Sequence, residues 1–134
     1  MNGLSHLAPL PVEHLEAALT VSSNKDFVLL GSESFDVLNE VGIGAHVYIY
    51  VSHDDRSSVE YVGTFLGIVG DLVEMRRLER AGFRPTTTDG EKWGCYWKVK
   101  GLAKLAKPIP LSEIQLPSKK YFRGIPHGPM LIAG

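Results

Sequence analysis

The run KWGCYWKVKGLAKLAKPIPLSEI, Lys92 to Ile114, restricts the fold more than any other part of the chain. Side chains alternate across a strand, so Trp93, Cys95, Trp97 and Val99 share one face and Gly94, Tyr96, Lys98 and Lys100 the other. The pattern predicts a strand with one buried face and one wet, basic face that still carries a tyrosine. Both tryptophans and the only cysteine lie in this strand. Pro108 and Pro110 impose an extended exit and are expected to end the ladder there. Trp97 reads as the core plug of a small barrel. Trp93, at the strand mouth, reads either as a second plug or as a wall on which a flat ligand stacks.

The flanking sequence supplies partners for this strand. His46 to Ser52 alternates, with Val47, Ile49 and Val51 opposite Tyr48 and Tyr50, and the polar HDDRSS turn (53–58) leads into a return strand, Val59 to Val69. There Val62, Leu66 and Ile68 are expected on one face, with Gly63 and Gly67 on the other, where the sheet bends. Phe27 to Leu30 reads as a short apolar strand. Pro11 to Thr20 predicts an amphipathic helix and Val21 to Asp26 a polar turn. Ser34 caps a second small helix through Phe35, Leu38 and Val41. Asp71 to Ala81 is a further helix stopped by Gly82, and Ser112 caps one last turn. Short strands with small helices between them predict an α+β domain on a compact, mostly antiparallel barrel.

At 134 residues the chain fits one domain and buries a core without staples. One cysteine excludes an intramolecular disulfide, which suits a reducing, cytoplasmic home. No signal peptide is expected at the start, and no apolar run is long enough to span a bilayer, so no membrane partner is expected. The net charge of −1 conceals a polarity. Residues 1–75 hold two basic residues against eleven acids, a net of −9, and residues 76–134 hold twelve against four, a net of +8. A basic half is where a polyanion docks, unless folding interleaves it with the acidic half.

Three blocks in order resemble one family: GIGAHVYIYVS (42–52), VGTFLGIV (62–69) and WKVKGLAKLAKPIPLSEI (97–114). They are similar to the EVE domain, a relative of the YTH and ASCH domains in the PUA-like superfamily, and FVLLGS (27–32) resembles its opening strand. The resemblance implies a PUA-like pseudobarrel of about five to six mostly antiparallel strands with short helices. The whole chain, 1–134, is then a single domain, with residues 1–25 as an N-terminal helical extension. It also implies a reader of nucleic acid, DNA or RNA, that holds a modified, flipped base in an aromatic-lined pocket. Such a reader serves as the specificity module of a modification-dependent nuclease, with a fused or associated effector domain. The chain departs from the family at His46, where Asp is usual, and at Gly31, where Lys is usual.

A flipped base needs a flat wall and hydrogen bonds to its edge. Trp93 is the leading wall, with Phe35 and Tyr96 behind it, and the Ser32 and Ser34 hydroxyls can read the edge, Ser34 unless it serves only as a helix cap. Arg76, Arg77, Arg80, Arg84, Lys119, Lys120 and Arg123 form the candidate phosphate-binding set, unless they are an ordinary solvated surface. The histidines are scattered and the HDD turn (53–55) cannot point all three side chains inward, so no metal or other cofactor is expected. No nucleophile elbow or phosphate loop occurs, and the chain is not expected to be an enzyme by itself. The competing reading is a small-molecule-binding or protein-interaction domain on the same barrel, with no nucleic-acid role.

Overall fold

The computed structural model describes residues 4–10, 12–32, 40–51, 58–84, 95–121 and 130–133. In chain order these form β1 (Leu4–Leu10), α1 (Val12–Asn24), β2 (Val28–Ser32), β3 (His46–Val51), β4 (Ser58–Val69), α2 (Leu72–Arg80), β5 (Cys95–Pro110), a 3-10 turn (Leu111–Glu113) and β6 (Met130–Ala133). The six strands make one open sheet in the order β2-β5-β4-β3-β1-β6. Every neighbouring pair is antiparallel except β1 with β3. The expected α+β sheet is therefore present, with Val62–Val69 and Cys95–Val99 both in it.

The tryptophan strand is the hub. Its first half pairs with β2 on one side and β4 on the other: Trp97 is in register with Leu30 and Ile68, and Tyr96 with Gly31 and Val69. Trp97 and Val99 are buried and Lys100 is exposed, as alternation requires. The strand does not end at its prolines, however. Ile109 and Pro110 still pair with Val59 and Ser58. Pairing with β2 stops at Val99, so the second half of β5 has one free side, and a proline there removes no ladder bond.

Two expectations fail at the sheet. The first 25 residues are not a helical extension. Leu4–Leu10 forms an inner strand between β3 and β6, with Ser5, His6, Leu7 and Ala8 all buried. β6 pairs only with Leu4–Leu7, so Pro9 lies where a strand tolerates a missing N–H. Nor do Val62, Leu66 and Ile68 share a face. A register shift between Phe65 and Gly67, with Gly67 at φ 114°, adds a residue and turns Ile68 to the side of Phe65. Phe65, almost fully buried, is the main core residue of β4.

α1 runs past the expected turn to Asn24, where Asn24 Nδ2 and Ser23 Oγ both donate to the Thr20 carbonyl. Its Leu15 and Ala18 cover the inner sheet face, joining Ala8, Leu30, Val47, Ile49, Phe65, Trp97 and Val99 in the main core. The Leu102 N–H donates to Ser22 Oγ and ties the end of the helix to β5. On the outer face, α2 buries Leu78 against Leu29 and Val69. Asp71 does not open the helix but caps it, accepting from the Val73 N–H, and Gly82 at φ 84° stops it, as the sequence predicts for Gly82. The 3-10 turn adds Leu111, with Ile114 after it, to Leu7, Tyr50, Val59 and Ile132. Ser112 lies inside this turn and does not cap it; the preceding position is Pro110. The helix expected from Ser34 lies outside the described residues.

Gly63 marks the closest strand approach. A Cβ there would collide with Val99 Cγ1 and lie 3.2 Å from the Lys100 carbonyl oxygen. Gly63→Ala is expected to lower stability by about 1–3 kcal/mol, as overpacking does. In urea unfolding the midpoint falls while the slope is unchanged.

Candidate nucleic-acid interface

The register collects several strand ends at one end of the sheet. β2 finishes there, β5 starts there with Ser32 opposite Cys95, and β4 finishes with Val69 opposite Tyr96. β3 starts further along β4, with His46 opposite Thr64, and β1 runs parallel beside it. Residues 33–39 follow Ser32 and residues 85–94 precede Cys95, so these two segments are joined to the sheet side by side. They contain Ser34, Phe35 and Trp93, which lie outside the described residues, as does Arg123. Ser32 is placed by its backbone as the last residue of β2.

Tyr96 faces the opposite side from Trp97. It is half-buried with Leu29, Val69 and Leu78 on the outer face, and the Arg84 guanidinium lies 5.4 Å from its ring centroid. Arg84 departs from the expected exposed set. Its side chain is 4% exposed, and its Nη1 donates to Glu79 Oε2 at 2.6 Å. A guanidinium held between a carboxylate and a tyrosine ring organises the α2–β5 junction and does not project into solvent.

Arg76, Arg77 and Arg80 are exposed on α2 and, at helical spacing, form one basic strip. Arg77 lies 3.7 Å from Glu74, with both side chains well exposed, a pair worth little against solvent. Lys119 and Lys120 are also exposed but sit in another part of the fold. Their turn follows the 3-10 turn and is tied to β6 by the Ala133 N–H donating to the Gln115 carbonyl, whereas α2 packs over β2, β4 and β5. The structure thus gathers the α2 arginines and sets the two lysines beside the opposite sheet edge.

Sequence reasoning missed two groups. The first lies on the outer face, where Phe27 and Phe83 stack with centroids 4.4 Å apart at 19°. Lys98 Nζ stands 5.4 Å from the Phe27 centroid and Lys25 Nζ 5.5 Å from that of Phe83. The Leu29 N–H donates to the Phe83 carbonyl and fixes this segment beside β2. Lys98 was visible as part of the basic strand face, but Phe27 and Phe83 are far apart in sequence.

The second is His6, with none of its ring accessible. Its centroid lies 4.8 Å from Trp97 and 6.4 Å from Phe65, both edge-on, and neither ring nitrogen has a hydrogen-bond partner among the described residues. Burial pulls its pKa down to about 3, so the ring is neutral at pH 7. A lone histidine in a stretch with no strand period gave no signal. Among the described residues, no group of three or more His, Cys, Asp or Glu is placed to hold a metal. No helix among them is long and apolar enough to cross a membrane.

Comparison with solved structures supports the fold. The chain is similar to the ASCH protein of Zymomonas mobilis, at a TM-score of 0.53 and 18% identity, over 97% of this chain and 87% of that one. It is also similar to a tyrosine-to-phenylalanine variant of that protein, at a TM-score of 0.56 and 16% identity, over 94% and 88%. Those proteins are PUA-like barrels, and the architecture here is of that PUA-like kind. No protein-family model matches the sequence, and no curated protein matches it by sequence.

Proposed function

We propose that this chain is a nucleic-acid-binding domain that reads a base, modified in its preferred target, at the end of the sheet where β2 finishes and β5 begins. The reading rests chiefly on the side-by-side attachment of segments 33–39 and 85–94, which carry Ser34, Phe35 and Trp93. Cations lie on the outer face: Lys98 and Lys25 on the phenylalanine stack beside the start of β2, and Arg76, Arg77 and Arg80 on α2. In this reading the cations hold phosphates and Trp93 stacks on the base. The domain acts by binding, and a fused or associated effector such as a nuclease supplies any chemistry.

A small-molecule-binding or protein-interaction role is the competing reading. It is favoured by Glu79, which holds the Arg84 guanidinium inside the fold and leaves the α2 arginines as the only exposed basic group of that segment among the described residues.

The test is titration of modified and unmodified DNA and RNA oligonucleotides at low and physiological salt. Each phosphate contact is expected to add roughly 0.7–0.9 to the log–log salt slope. Arg77→Glu with Arg80→Glu weakens binding to every sequence alike. Trp93→Ala costs about 1–3 kcal/mol, chiefly on the preferred base. A folded double mutant that binds as the parent does removes α2 from the interface, and a wild-type chain that binds no oligonucleotide sinks the reading.

A further inference from the structure

Almost every buried polar group in a folded protein has a hydrogen-bond partner, and one that lacks any needs a physical reason. His6 is such a group twice over, since both its nitrogens are enclosed and, among the described residues, unpaired. A structural role fits poorly. An imidazole that only filled space would be replaced at a gain by an apolar ring, because burying unpaired polar atoms costs free energy. Its surroundings are aromatic. Trp97 meets it at 63° and Phe65 at 86°, so two aromatic side chains brace it edge-on and fix its plane. His6 is also on the inner face, opposite Val47 in β3, with its ring against Trp97 of β5.

We propose that His6 is the interior hydrogen-bonding group of a nucleobase-binding site on the inner face of the sheet, beside Trp97 and Phe65. The idea rests on the nucleic-acid reading above and names a residue that does the reading. A neutral imidazole presents one N–H donor and one bare nitrogen acceptor. That pair suits a planar nitrogen heterocycle, whose edge alternates donors and acceptors, and suits a phosphate poorly, since a phosphate only accepts. The apo protein carries the unpaired nitrogens as a cost that the ligand removes on binding. Discrimination follows, because a base that offers the wrong group leaves a buried nitrogen unpaired again.

The experiment uses the full chain with His6→Phe and His6→Leu. Both variants are expected to fold and to melt at or above the parent, by up to about 5 °C. Both are expected to lose about 5- to 100-fold in affinity for the preferred oligonucleotide, the usual range for one unpaired buried group. The salt slope stays at the parent value, because phosphate contacts are untouched. In the wild-type chain, the His6 ring nitrogens are followed by NMR during titration with adenosine, guanosine, cytidine and uridine. At least one nucleoside is expected to move them.

The outcomes separate this inference from the broader reading. If oligonucleotides bind the parent and both variants equally, His6 is not a reader and the nucleic-acid reading survives. If a nucleoside moves the His6 nitrogens but no oligonucleotide binds, the site stands and the nucleic-acid reading falls. If neither moves them, the proposal is overturned. Should both variants unfold, the wild-type titration alone decides.

Discussion

Taking the protein from pH 7 to pH 4 is expected to cost it about 3 kcal/mol through His6 alone. In the fold the His6 pKa is lowered from 6.5 to about 3 because the ring is buried and its charged form cannot be solvated. The sign follows from proton counting. Between pH 6.5 and about 3 the unfolded chain holds a proton on this ring and the folded chain does not, so acid favours unfolding. Stability is complete above the unfolded value and falls by about 1.4 kcal/mol for each pH unit below it, until the folded pKa is reached. Carboxylates also respond to acid, so the comparison must cancel them. Urea unfolding of the parent and of His6→Leu at pH 7, 5 and 4 does so, since both chains share every other group. The difference between them is expected to move by about 3 kcal/mol in favour of His6→Leu across that range. A flat difference means that the ring accepts its proton inside the fold and is not sealed from water.

What could be read from the sequence divides along a physical line. β3, β5 and α2 were legible because each announces itself within its own residues, by alternation or by helical spacing and a stopping Gly82. β1 was not. A strand buried on both faces shows no alternation, and Ser5, His6 and Pro9 look like loop residues until β3 and β6 enclose them. The faces of β4 were misread for a related reason: the register shift between Phe65 and Gly67 is a property of the β4–β5 pair, not of β4. The prolines of β5 are tolerated because β2 has already ended, which only the assembled sheet shows.

The candidate site follows the same division. Helical spacing was enough to group Arg76, Arg77 and Arg80. It could not remove Arg84, whose Glu79 partner comes within 2.6 Å only because the chain turns back at Gly82. The sequence also showed a basic half and an acidic half but not their mixing. In the fold, Lys25 of the acidic half joins Lys98 of the basic half across the stacked Phe27 and Phe83. Charge counted along the chain therefore understated the basic character of this outer face.

Trp97→Ala is expected to be the most damaging single substitution, at about 3–5 kcal/mol. The indole is 2% exposed in the strand that pairs with both β2 and β4, with Leu30 and Ile68 as its register neighbours. Its ring touches His6, and its centroid is 6.5 Å from that of Phe65, so removing it opens a cavity that three strands share. Strand backbones locked in two ladders cannot close over such a gap, which puts the cost near the top of its range. A domain of this size holds about 5–15 kcal/mol in all, so the variant is left marginal. Its melting point should drop by about 10–20 °C. The cavity also lets water reach the imidazole, so the acid sensitivity carried by His6 should shrink in the same variant. Combining Trp97→Ala with His6→Leu measures that link directly: the two stability changes are expected not to add, because each removes part of the other's surroundings. Additive changes would mean that the two rings are energetically independent. A Trp97→Ala chain melting within about 3 °C of the parent would show that the indole is not the plug of this core.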